Sequence, residues 1–378
     1  MSVLPFARPP GPSSPSLVFY VSGHGFGHAS RDIEILNALH AARPDLHVTV
    51  RTTAARWLFE ASLDGPIAYQ EVACDTGVAQ IDSLRLDEGE TVRRAARFYD
   101  ALETHVAREV AALRAVRADL VVGDIPPLAS AAAAAAGLPA ILIGNFTWDW
   151  IYEGYADSLT GAPHLLSIVR QAYAGAACAL RLPMSGGFAP VMSVTKDIPL
   201  VARHARQAPA DVRRRLALPD DRPIVLVSFG GHGLKDFDPA PLGRHQDFTF
   251  LTTGARSDRP PSNVVEIDAQ TLYRDGLRYE DLVGAADVVV TKPGYGIVAE
   301  AIANGTSILY TSRGRFVEYD VLVEAMHRLT RCRYIPNSDL LAGHWAGHLE
   351  RLLDLPAPAV RPPTNGAGIA AREILDRL

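Results

Sequence analysis

Cysteine is scarce in this chain: of 378 residues only Cys74, Cys178 and Cys332 carry a thiol, in unrelated contexts and without paired metal-ligand spacing. That excludes a disulfide framework and a structural zinc site, and a reducing, cytoplasmic setting is expected. No excess of positive charge is present either. A net charge of −5 argues against a broad footprint for nucleic acid, while a local pocket for a phosphorylated small molecule stays open. The arginine runs at 93–97 and 213–215 read as solvated helix faces. Long apolar runs are lacking too. The longest, residues 128–144, is broken by Gly137 and Pro139 and suits a buried helix followed by a strand, so no transmembrane segment is expected. Residues 1–16 are rich in proline and serine, lack the apolar centre of a signal peptide, and read as a loose tail.

What is present is enough apolar material for more than one core. Hydrophobic residues make up 48% and charged residues 21%, and the length suits two α/β domains. Apolar runs at 17–22, 46–52, 67–72, 119–123, 140–144 and 177–182 alternate with helical patterns; in the first of these, residues 29–41, Ile33, Leu36 and Leu39 share a face. The stretch 183–199 turns irregular, with Gly186 and Gly187 inside, and the pattern restarts at 224–228, 247–252, 264–267, 287–291, 307–311 and 332–335. Strands alternating with helices indicate parallel, doubly wound sheets. The expected organisation is a first Rossmann-like domain over 17–182, a linker over 183–200 and a second Rossmann-like domain over 201–362. A terminal helix over 363–378 either stays on the second domain or returns to the first.

Such sheets hold ligands at the carboxyl ends of their strands. After the first strand stands Ser22-Gly23-His24-Gly25-Phe26-Gly27-His28. A dinucleotide fingerprint needs glycine where His28 stands and an acid ending the second strand, which here reads Arg51-Thr52-Thr53, so a dehydrogenase is excluded. A histidine at a helix start feels the positive dipole end and stays available as a base. His28 is therefore the candidate for deprotonating an acceptor hydroxyl, the alternative being that His24 and His28 only bond the loop. Two further loops carry glycines that suit close approach to a phosphate: Ser228-Phe229-Gly230-Gly231-His232-Gly233, and Thr291-Lys292-Pro293-Gly294-Tyr295-Gly296 leading into a helix with Glu300 one turn in. A diphosphate over Gly294 to Gly296 with Glu300 on the ribose is one reading; a plain turn with a capping acid is the other. Arg313, Arg315, Glu318 and Asp320 follow a strand end and either hold phosphate and sugar or form ordinary surface. In the first half, Asp124 after Gly123, and Asn145, Trp148 and Asp149 in Asn145-Phe146-Thr147-Trp148-Asp149-Trp150, combine rings with polar groups as sugar sites do. Asp124 and Asp149 are candidate acceptor-side or base-orienting carboxylates, and Trp148 is either a sugar platform or core. Asp75, Gln80 and Asp82 are further candidates for the same site.

HGFGHASR at His24 to Arg31, CDTGVAQIDSL from Cys74, DLVVGDIPPLA from Asp119, NFTWDWIY from Asn145 and KPGYGIVAEAIANG from Lys292 together resemble the glycosyltransferase-like N-terminal half of L-arabinokinases. More distantly the chain is similar to the inverting GT-B family that includes the lipid-linked N-acetylglucosaminyltransferase of peptidoglycan synthesis, whose Gly-Gly-His loop corresponds to Gly27-His28. The kinase half of L-arabinokinases has no counterpart here, so sugar-kinase activity is not expected. Where GT-B proteins place a carboxylate–glutamine pair, this chain has Glu318-Tyr319.

The resemblance implies a GT-B fold, two Rossmann-like domains with parallel sheets facing a cleft, and an inverting, metal-independent glycosyltransferase that needs no cofactor beyond its nucleotide-sugar substrate. The expected catalytic residues are His28, Asp124 and Asp149. Donor binding falls to Gly230, Gly231, His232, Lys292, Pro293, Gly294, Tyr295, Gly296, Glu300, Arg315 and Glu318. Acceptor binding falls to His24, Gly25, Phe26, Gly27, Arg31, Asn145 and Trp148, with a small molecule, a glycan or a lipid-linked compound as acceptor. A nucleotide-sugar epimerase or hydrolase on the same fold, and a non-catalytic sugar- or nucleotide-binding module, are the alternatives.

Overall fold

The computed structural model describes residues 14–230, 234, 237–253 and 259–378, and the chain divides into two compact units. The first holds a sheet of β1 (Ser16–Val21), β2 (His47–Thr52), β3 (Ala68–Glu71), β4 (Leu120–Asp124), β5 (Ala140–Phe146), β6 (Cys178–Gly186) and β7 (Thr195–Asp197). The second holds β8 (Ile224–Ser228), β9 (Thr249–Thr253), β10 (Val264–Ile267), β11 (Val288–Thr291), β12 (Ser307–Tyr310) and β13 (Cys332–Tyr334). The spatial orders are β3-β2-β1-β4-β5-β6-β7 and β10-β9-β8-β11-β12-β13. The central pairs β1–β2, β1–β4, β8–β9 and β8–β11 are parallel. Counted within its own unit, each sheet follows the doubly wound order 3-2-1-4-5-6, which β7 extends by a seventh strand in the first.

The apolar runs are continuous because both sheet faces are covered. Side chains alternate along β1: Leu17, Phe19 and Val21 enter a core with Ile33, Leu36 and Leu39 of the helix Phe26–Ala42. Val18 and Tyr20 enter the opposite core, against Ala129, Ala132 and Ala133 of the helix Pro127–Ala136. β8 repeats the device, with Val225 and Val227 packed in the cluster of Trp345 and Leu349, and Ile224 and Leu226 in that of Leu282 and Val283.

Two features depart from the sequence expectation, and a third decides between the two placements it left open for the terminal helix. Residues 183–200 are not a linker: β6 runs on to Gly186, a 3-10 turn spans Ala189–Val194, and β7 pairs with β6 at the sheet edge. The glycines that suggested an irregular connection make room for an indole, since a Cβ on Gly186 would lie 2.3 Å from the ring of Trp150. Residues 80–86 fold with the second unit, where Ser83 Oγ donates to the Phe229 carbonyl (2.5 Å) and Leu84 enters the core beside Val225 and Phe229. The helix Gly366–Leu375 belongs to the first unit, whose core it completes with Ala370, Ala371 and Ile374. Among the described residues no helix is long and apolar enough to cross a membrane.

Candidate functional site

In a 3-2-1-4-5-6 sheet the connections leaving the first and fourth strands diverge and open a crevice at their carboxyl ends. In the first unit those ends are Ser22 after β1 and Asp124 closing β4; in the second they are the loops after β8 and β11. The glycine- and histidine-bearing loops of the sequence thus fall at the two switch points.

The helix Phe26–Ala42 begins at Gly25, whose φ of 76° and ψ of −171° lie in a region open essentially only to glycine. That turn aims His28, in the helix's first turn, back at β4. His28 Nδ1 lies 2.9 Å from Asp124 Oδ1, with the carboxylate fully buried and the imidazole nearly so. The ring packs edge-on against Phe146 at 5.9 Å. One turn later Arg31 donates from Nε to Asp124 Oδ2 (2.9 Å) and from Nη2 to Oδ1 (2.5 Å), while its Nη1 binds Asn145 Oδ1. Asn145 is oriented in turn by donating to the Pro183 carbonyl (2.7 Å). Burial opposes ionisation of Asp124, yet the charges of Arg31 and His28 outweigh it and hold the carboxyl well below the usual carboxylate range. An ionised Asp124 only accepts, so Nδ1 carries the imidazole hydrogen and Nε2 keeps a lone pair.

Beside this dyad lies Asp75, which follows β3. Its carboxylate accepts from Ser22 Oγ (3.2 Å) and Trp148 Nε1 (3.0 Å). Burial pushes its carboxyl up to about 6, with Asp124 adding to the rise and the bonds from Ser22 and Trp148 and the charge of His28 offsetting part of it. A carboxyl raised above its unfolded value of about 3.9 stabilises the fold only while protonated. That contribution is present below about pH 4 and lost as the pH rises through about 6. Asp75→Asn is therefore expected to gain melting temperature relative to the parent chain between pH 4 and 6.5 and to hold a constant difference above. A difference flat across that window would show that Asp75 does not titrate there.

Of the other residues expected in this half, His24 takes a bond on Nδ1 from the Val78 backbone (3.4 Å) and meets Trp148 edge-on at 6.3 Å. Gly25, Phe26 and Gly27 are exposed. Trp148 is fully buried and stacked on Tyr152, so it forms the floor beneath Asp75 and offers no face to a ligand. Asp149 is not brought to the dyad; its Oδ2 accepts from Arg170 Nε at 3.1 Å on the neighbouring helix Leu165–Tyr173.

In the second unit, Gly230 follows β8 with a φ of 69°, while Gly231 and His232 lie outside the described residues. Lys292 and Pro293 leave β11, and Gly294 caps the helix Tyr295–Asn304, which opens with Tyr295 and Gly296. Desolvation, with Arg313 beside it, pulls the Lys292 ammonium well below its ordinary range, Glu318 opposing. Arg313 pairs with Glu318 (3.0 Å) and lies 3.6 Å over the Phe316 ring. Arg315, two residues on, is exposed. Glu300 is buried and accepts from Arg203 Nε (2.7 Å) and Nη2 (2.6 Å), while Arg203 Nη1 reaches Glu280 at 3.1 Å. Neither Arg203 nor Glu280 has a local signature, since the ion pair with Glu300 joins residues 97 apart. For Asp32 the one signal in the sequence is its spacing of four from His28, which places it on the same helix face.

No family model matches the chain. It is 33% identical over 383 residues to L-arabinokinase of Arabidopsis thaliana, a match covering 95% of this chain and 34% of that protein. The chain thus spans about a third of the length of the curated relative it matches. Among solved structures it is similar to the glycotransferase of kitacinnamycin, with a TM-score of 0.64, 16% identity, and coverage of 97% of this chain and all of that one. Phytolacca americana UGT2, complexed with UDP-2fluoro-glucose and pterostilbene, aligns with a TM-score of 0.60 and 15% identity over 96% of this chain and 94% of its own. Two parallel doubly wound sheets, aligned over almost their whole length with these structures, give the chain the fold of the GT-B glycosyltransferases.

Proposed function

We propose that this chain transfers a sugar from a nucleoside-diphosphate sugar to a hydroxyl acceptor, with inversion and without a metal ion. The observation that carries the reading is the buried His28–Asp124 pair at the switch point of the first sheet. Asp124 accepts the Nδ1 hydrogen and fixes the tautomer, so His28 Nε2 takes the acceptor's hydroxyl proton as its oxygen bonds to the anomeric carbon. The bond from that carbon to the diphosphate breaks on the opposite side and the diphosphate leaves with the electron pair, which is inversion by a single displacement. Arg31 balances the Asp124 carboxylate, and the exposed Gly25, Phe26 and Gly27 border the acceptor.

On the second unit the leaving diphosphate is held by the first backbone N–H groups of the helix Tyr295–Asn304 and by Lys292, whose displaced pKa an anion would restore. Backbone dipoles and one ammonium stabilise the departing charge in place of a metal. Glu300, anchored through Oε1 by Arg203, is the ribose partner, and Arg315 and Glu318 border the sugar. UDP-2fluoro-glucose bound to the Phytolacca americana neighbour supports a nucleotide-sugar donor, and three buried, free cysteines support a cytoplasmic setting.

A melting screen against UDP, GDP, dTDP and their common sugar conjugates tests this. A ligand at a hundred times its Kd adds about 2.7 kcal/mol to the native state, a shift of several degrees. One nucleotide class should produce it, and Lys292→Met should remove it. No shift with any nucleotide would sink the reading in favour of a non-nucleotide binding module. Consumption of the sugar conjugate without an acceptor would replace transfer by hydrolysis or epimerisation.

A further inference from the structure

Asp32 is fully buried, yet no hydroxyl or N–H group of the described residues reaches either of its carboxyl oxygens. A lone carboxylate in that position costs several kcal/mol, more than most single interactions return. Its surroundings are set by the helix. His28, Arg31 and Asp32 stand at positions 0, +3 and +4 and share one face, and the first two both bond Asp124. Asp32 therefore faces the same carboxylate. The Arg31 guanidinium is already divided between Asp124 and Asn145, and a carboxylate cannot donate to a carboxylate. Two facing carboxyls bind each other only when they share a proton.

We propose that Asp32 is a positioning residue for the base: its carboxyl is protonated and donates to Asp124, so that a carboxylic acid, a carboxylate and the His28 imidazole form one buried hydrogen-bonded row. This rests on the reading of His28 as base for its function, but not for its existence. The charge balance agrees. With Asp32 neutral, Arg31 and Asp124 cancel, and a proton arriving on His28 is balanced by Asp75 once that carboxyl has ionised; with Asp32 ionised, the cluster would hold one more buried anion with no cation to balance it. Burial, then the Asp124 charge, pushes the Asp32 carboxyl well above the carboxylate range, Arg31 opposing. The charged groups that act on it are Asp124 on β4 and Arg31 on its own helix, while His28, bonded to Asp124, and Asp75 after β3, which feels the charges of His28 and Asp124, border the same cluster.

Two measurements on the full chain test the row without needing a substrate. The first is infrared difference spectroscopy at pH 8, with Asp32→Asn as reference; Asp75 is ionised at that pH, its carboxyl lying at about 6. A protonated-carboxyl band lost in Asp32→Asn is expected, and its absence from the parent chain overturns the proposal. The second is the titration of His28 by nitrogen NMR of labelled histidine, assigned with His28→Gln. Asparagine is neutral and still donates, so Asp32→Asn should leave the His28 midpoint unchanged. Asp32→Ala removes the donor, makes Asp124 a stronger acceptor and should raise that midpoint by about half a unit. If Asp32 were ionised, Asp32→Asn would instead lower the midpoint by about one unit, because a nearby negative charge would be gone. If transfer later proves not to be the activity, the band and the titration still decide the row.

Discussion

Replacing His28 with glutamine should lower kcat for sugar transfer by about a hundred- to ten-thousand-fold, the range a positioned general base supplies. Glutamine keeps the size and a hydrogen-bond donor toward Asp124 but has no lone pair able to take a full proton. KM for the donor should stay within a few-fold, because the proposed donor groups lie on other strands of a different unit. The nucleotide-induced melting shift should also persist. Asp124→Asn should lose activity as well, through a different route: an amide can donate to Nδ1 and turn the imidazole to the tautomer whose Nε2 carries hydrogen. The check is a steady-state assay with the sugar conjugate that the melting screen selects. Retention of kcat in His28→Gln would remove histidine from the chemistry and with it the single-displacement scheme.

Arg203→Met should cost the second unit about 3–5 kcal/mol, as removal of one partner from a buried charge cluster does. Burial works against the charge of Arg203, but Glu300 and then Glu280 outweigh it and raise its pKa further. Methionine keeps most of the volume and leaves two carboxylates facing one another without a cation. Glu300 already titrates above its ordinary range because of burial, so without Arg203 it takes up a proton at higher pH still. Their repulsion is relieved by acid, and the variant should therefore recover stability on going from pH 8 to pH 5. Denaturant unfolding followed at both values reads this, with the double variant Arg203→Met, Glu300→Gln expected to restore part of the loss. A change below about 1 kcal/mol would mean that water reaches the cluster and screens it.

The strands were legible because both faces of each sheet are covered. Val225 to Val227 and Val288 to Val290 are uniformly apolar and can hardly be anything else. The switch-point loops were legible for a related reason, since glycine-rich turns after apolar runs mark close backbone approach. β7 was hidden, because Thr195 to Asp197 is polar and short, as an edge strand is. His28 could be read from its place at a helix start, and Asp124 from its place at a strand end. Their partners were harder. Arg31 lies one turn from His28 and could be named, whereas Arg203 meets Glu300 across 97 residues and no periodicity reports such a pairing. Trp148 and Asp149 stand side by side in one motif, the first read as a sugar platform or core and the second as an acceptor-side or base-orienting carboxylate. Both are buried, and their contacts separate them, with one ring forming the floor under Asp75 and one carboxylate engaged with Arg170.

The chain changes unit at 79/80, 86/87, 201/202 and 362/363. During synthesis, at about 5–20 residues per second, the first unit is the first to be made but cannot be the first to finish. Its core lacks Ala370, Ala371 and Ile374 until the helix Gly366–Leu375 has left the ribosome. The second unit has its 80–86 segment in hand early and can close as soon as residue 362 emerges. Until the helix Gly366–Leu375 emerges, the side of the helix Phe26–Ala42 that receives it lacks its cover. The unit that carries His28 and Asp124 is thus the one whose folding waits on the helix Gly366–Leu375.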